Sequence, residues 1–117
     1  MKPLVVMMSA SLAALALSTG TWAGDAHKLE PAWVGAAKTP GQHEAVAKAY
    51  DAEALGFEKK AAMHKNLAET YAAPGGKPWQ AAQAKHCDSV AVSLTTAAQE
   101  DRALAAEHRK MAQEATQ

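Results

Sequence analysis

Large side chains are scarce in this chain, and the scarcity limits what it can build. Aromatic residues make up 5 % of 117 positions, so only a thin core is available. A domain built that way commonly leans on a metal or a partner. The single cysteine, Cys87, has no internal disulfide partner. In an oxidising compartment such a thiol points to a metal ligand, an intermolecular disulfide or an inert buried group. Charge of one sign is lacking too: 12 basic and 12 acidic side chains interleave to a net charge of zero. That removes the electrostatic case for nucleic acid and for an anionic membrane surface. No segment alternates with the period of a strand, and neither Cys-x-x-Cys nor His-x₃-His spacing occurs. The missing Cys-x-x-Cys-His excludes covalent haem by the usual chemistry. The missing Glu-x-x-His speaks against a di-iron bundle.

The beginning of the chain reads as an address. Lys2 is followed by an apolar run over residues 4–17, and Thr21-Trp22-Ala23 puts small residues at −3 and −1 of a cleavage site. The pattern predicts a signal peptide over 1–23 and a soluble product, periplasmic or secreted. No later stretch is apolar enough for membrane insertion. Cleavage after Ala23 leaves His27 at position four, one too many for an amino-terminal copper chelate. Residues 24–38 are polar and aperiodic, interrupted by Pro31. They read as a flexible lead segment from which Trp33 and Val34 dock onto the body.

Beyond that point the pattern is helical. Thr39 can cap and Pro40 suits a first turn, and the strong helix formers Ala, Glu, Lys, Gln and Leu then dominate. The prediction is an all-α domain over 39–117, with a helix over about 40–73, a turn at 74–78 and a helix over about 79–115. Ala47, Ala54, Ala61 and Ala68 recur every seven residues, and Ala91, Ala98, Ala105 and Ala112 repeat them 44 positions later. Four residues before these alanines stand His43, Tyr50, Phe57 and His64 in the first copy, and Cys87, Leu94, Asp101 and His108 in the second. The architecture this implies is an antiparallel two-helix hairpin with internal duplication and an alanine-rich seam. Its unburied apolar flank predicts a homodimer, two hairpins making a four-helix bundle.

Folding about Gly75-Gly76 pairs residue i with roughly residue 151 − i. His43 then faces His108, Tyr50 faces Asp101 in a seam hydrogen bond, Phe57 faces Leu94, and His64 faces Cys87. The two ligand pairs stand about 30 Å apart at helical rise. Met111 lies one turn beyond His108, in the column of Val90 and Leu104 where core packing is its ordinary role. Imidazole, thiolate and thioether together suit copper, and without the thioether zinc. The candidate metal ligands are therefore His43, His108, His64, Cys87 and Met111. Sequestration or delivery is the function such a set implies. The competing reading is a structural or protein-interaction module whose histidines merely pack. Non-covalent haem in a four-helix bundle is a third possibility, opposed by an alanine column that closes the slot it needs. Enzyme chemistry is not expected, since a narrow hairpin supplies neither a concave pocket nor an oxyanion hole for a Cys87–His64 pair.

Overall fold

The computed structural model describes residues 29–116, so the cleavage site at Ala23 and the tail histidine His27 lie outside the described residues. Three helices follow one another: α1 (Pro31–Gly35), α2 (Pro40–Tyr71) and α3 (Pro78–Glu114). No strand occurs among the described residues, and no described helix is long and apolar enough to cross a membrane. The long helices α2 and α3 pack against each other along their length.

Each helix start is written in local chemistry. Thr39 takes an extended backbone, and its Oγ1 accepts the Gln42 N–H at 3.2 Å. Gln42 reciprocates, its Oε1 accepting the N–H groups of Thr39 at 3.2 Å and Lys38 at 2.9 Å. This capping box satisfies donors that the first turn leaves without intrahelical partners. Pro40 takes the first helical position, where a missing N–H costs nothing. Pro78 does the same for α3, with Gln80 Oε1 accepting the Lys77 N–H. Between the helices Gly75 has φ +83°, a left-handed conformation that side chains resist. Gly76 answers a different need: a Cβ there would sit 2.8 Å from Gln80 Oε1 and 3.3 Å from the Ala73 carbonyl. A side chain there would push the Gln80 amide out of its place on the Lys77 N–H. Trp79 closes the tip by meeting Tyr71 edge-on at 6.3 Å.

In the segment expected to be a flexible lead, Pro31 opens a helical turn, α1, in which the Val34 N–H donates to the Glu30 carbonyl at 3.0 Å. Trp33 and Val34 are half-buried.

The core is a row of methyl groups. Among the described residues, every buried apolar side chain apart from Val46 and Cys87 is an alanine: 47, 49, 54, 61 and 68 in α2, 84, 91, 98 and 105 in α3. Small side chains at heptad spacing let two backbones approach toward the short end of the usual 8–10 Å range. Ala112, the last of the second column, is half-buried where the helix pair ends. One flank of the seam carries ion pairs at the same spacing. Arg102 grips Glu58 with two nitrogens at 2.9 and 3.0 Å and reaches Asp51 at 3.7 Å. Arg109 reaches the same Asp51 at 2.8 Å and Glu44 at 3.4 Å. These groups are two-fifths exposed on average, so each pair contributes at most about 1 kcal/mol. Their larger effect is on register, because Asp51 is shared by arginines two turns apart.

The opposite flank corrects an expectation. Val90, Leu104 and Met111 are 40 %, 41 % and 39 % exposed, so their column is not core. Val46, at the corresponding place on α2, is by contrast fully buried, so the exposure belongs to the α3 side of this flank.

Candidate metal centre

Helix geometry decides which of the facing side chains meet. Every Cα–Cβ bond tilts toward the amino terminus of its own helix, so in an antiparallel pair opposed side chains lean apart along the axis. Long side chains bridge the offset and short ones do not. His43 and His108 bridge it, with Nδ1 atoms 3.1 Å apart and ring centroids at 5.4 Å. Tyr50 leans toward the same end, and its ring lies 5.8 Å from that of His108. His108 is 7 % exposed. Burial first, and the neighbouring His43 second, hold the His108 pKa below the ordinary histidine value.

Two imidazole Nδ1 atoms at this distance have two ways to be satisfied. A proton on one nitrogen makes a hydrogen bond to the lone pair of the other. Alternatively, both lone pairs face a metal ion. With metal–nitrogen bonds of about 2.0–2.1 Å, two ligands stand roughly 3.3 Å apart at a tetrahedral angle and roughly 4 Å apart in a linear site. The observed 3.1 Å is close to the first separation and about 1 Å short of the second.

The pair near the turn is different. Cys87 is buried and free, and His64 is half-buried with a Nδ1 that lacks a hydrogen-bond partner. No hydrogen bond joins the two, as expected for a short cysteine side chain leaning away from its opposite number. Met111, Met63 and His86 are exposed. Among the described residues, no group of three or more His, Cys, Asp or Glu side chains is placed to hold a metal ion.

Asp101 departs from the expected seam hydrogen bond with Tyr50. Tyr50 leans toward His108, while Asp101 leans toward the turn. Asp101 is 8 % exposed and its Oδ2 has no partner. Burial, and then the charge of Glu53, raise its pKa above the ordinary carboxylate value. The signal for this group was present in the sequence: an acid at a heptad position otherwise held in α3 by Cys87, Leu94 and His108.

The chain matches no protein-family profile, no curated protein and no solved structure.

Proposed function

We propose that this chain is an exported, non-enzymatic helical protein that binds a transition-metal ion, copper(I) ahead of zinc, for sequestration or delivery. The observation that carries the reading is the part-buried His43–His108 pair, with Nδ1 atoms 3.1 Å apart. Copper(I) is preferred because zinc sites ask for four ligands or three and a water, whereas a soft monovalent ion is content with fewer. Met111, three residues after His108 on the same helix and 39 % exposed, adds a thioether to the first site only by turning inward from its flank. His64 and Cys87 form a second, softer site that needs a rotamer change to close. Haem ranks last, because alanines at 0–2 % exposure, such as Ala54 and Ala98, keep the helices together.

The same 3.1 Å contact also favours a second reading, in which the two histidines satisfy each other and the seam is purely structural. Silver(I), an air-stable stand-in for copper(I), separates the two. Titrated into untagged protein under conditions that keep Cys87 reduced, it raises the thermal midpoint of the wild type. At a free concentration of about 100 times Kd the stabilisation is about 2.7 kcal/mol. His108→Ala loses the larger part of that shift, and Cys87→Ser keeps the His43–His108 contribution. If silver(I), copper(I) and zinc(II) all leave the wild-type midpoint unmoved, the metal reading fails and the structural one stands.

A second copy of the chain completes the proposal. Leu67, Val90, Leu104 and Met111 are 38–41 % exposed along one flank, an apolar stripe that the two helices do not cover for each other. Sedimentation should give twice the protomer mass, with a thermal midpoint that rises with protein concentration. A monomer whose midpoint is independent of concentration rules out the bundle. A dimer that dissolves with reductant assigns the contact to Cys87.

A further inference from the structure

We propose that Asp101 is a proton-binding switch at the middle of the hairpin, closing the seam when its carboxyl carries a proton and loosening it when ionised. The inference stands apart from the metal reading, since it concerns a carboxyl two helical turns from His108 and holds whether or not an ion is bound.

Asp101 occupies the same heptad column as Cys87, Leu94 and His108, and alanines 98 and 105 flank it in the buried row. It is 8 % exposed, and the carboxyl has an oxygen, Oδ2, that is enclosed and unpartnered. An ionised carboxylate there keeps one oxygen, Oδ2, without water or a donor, whereas a protonated acid has no charge to solvate.

The surroundings show why no cation rescues it. From α2, the groups that face this part of the seam are Tyr50 and Glu53, with Asp51 and Glu58 on the ion-pair flank. From α3 its neighbours are Glu100 and Arg102. Arg102 is turned away, its guanidinium held by Glu58 and Asp51. Tyr50 has its ring against His108. Glu53 is of like sign, and its charge works in the same direction as burial to favour the protonated acid. A hydrophobic residue would fill the position at no such cost, as Leu94 does one heptad earlier.

The sign of the response follows from linkage. Folding favours the protonated form, so below the ordinary carboxylate pKa, where both folded and unfolded chains are protonated, the position carries no charge penalty. As pH rises through the raised folded-state pKa, a charge must be held in the seam and stability falls. The loosening is centred where α2 contributes Ala54 and α3 contributes Ala98, midway along the hairpin.

The test reads the carboxyl directly. Carbon-detected NMR of the purified, metal-free protein follows the Asp101 side-chain carboxyl as pH is raised from about 3 to 8. Its midpoint should lie above the ordinary aspartate value of about 3.9. Asp101→Leu and Asp101→Asn should raise the thermal midpoint near neutral pH by several degrees, and this advantage should shrink toward zero near pH 4. A carboxyl that titrates at or below the ordinary value overturns the proposal, because it would mean that an ion or donor satisfies the charged form. Variants that lower the midpoint equally at both pH values overturn it as well. If the leucine variant fails to fold, the wild-type titration alone decides.

Discussion

Ala54→Leu and Ala105→Leu should each destabilise the hairpin by about 1–3 kcal/mol, the usual cost of forcing extra methylenes into a filled core. Both alanines are 0 % exposed and belong to the facing heptad rows that set the distance between α2 and α3. A leucine at either place cannot find room by rotating, because the opposite wall is backbone and methyl groups. The helices must part, and the buried contacts of neighbouring alanines are lost with them. Ala103→Leu provides the control, since Ala103 is exposed on α3 and leucine is nearly as good a helix former as alanine. It should change stability by less than about 0.5 kcal/mol. Urea unfolding monitored by circular dichroism measures all three. A seam variant as stable as the wild type would show that the helices are not held in alanine contact, and the register argument would fall with it. Ala105 is also one turn from His108, so prying the seam open there should separate the two imidazoles and weaken silver(I) binding in the same variant.

How much of this was legible before the structure depends on what a heptad pattern encodes. Spacing assigns a residue to a face, and it assigned Ala47, Ala54, Ala98 and Ala105 to the buried one. Thr39 with Pro40 and the glycine turn carried the helix limits, which needed no tertiary information; the answering cap from Gln42 became visible only in the structure. Spacing does not say how far a face extends. Val90, Leu104 and Met111 share a heptad column beside the seam and are two-fifths exposed, whereas Val46 in the matching column of α2 is fully buried. Nor does it describe the axial lean of side chains. Tyr50 and Asp101 share a level in the register, but opposite helix directions send one toward His108 and the other toward the turn. The same offset is spanned by two imidazoles at His43 and His108 and not by the shorter Cys87 opposite His64. Pro31, read as an interruption, is a helix opener for the same reason that Pro40 is: a first turn has no use for the missing N–H.

Asp101 and His108 should give the hairpin two opposed pH responses that partly hide each other. His108 is held below the ordinary histidine pKa by burial and by His43. Its contribution to stability is therefore present above the unfolded-state value near 6.5 and is lost as pH falls through the lower folded-state pKa. The hydrogen bond sets the limit: one proton between the two Nδ1 atoms can be shared, but a second leaves two N–H groups pointing at each other. Asp101 acts in the other direction, losing stability as pH rises above the ordinary carboxylate range. Between about pH 4 and 6.5 the two slopes oppose, and the wild-type thermal midpoint should vary less than that of a variant lacking either group. Removing one group exposes the other. In Asp101→Leu the midpoint should fall steadily on acidification across that range, because only the histidine response remains. In His108→Gln, whose amide still donates to or accepts from His43, the midpoint should instead rise as pH falls, because only the carboxyl response remains. Calorimetry of metal-free protein with a chelator present measures both profiles. A flat profile in Asp101→Leu would mean that His108 takes up its proton as readily in the folded chain as in the unfolded one. The seam would then tolerate a charged imidazole pair, and the case for two neutral nitrogen lone pairs awaiting a metal would lose its physical basis.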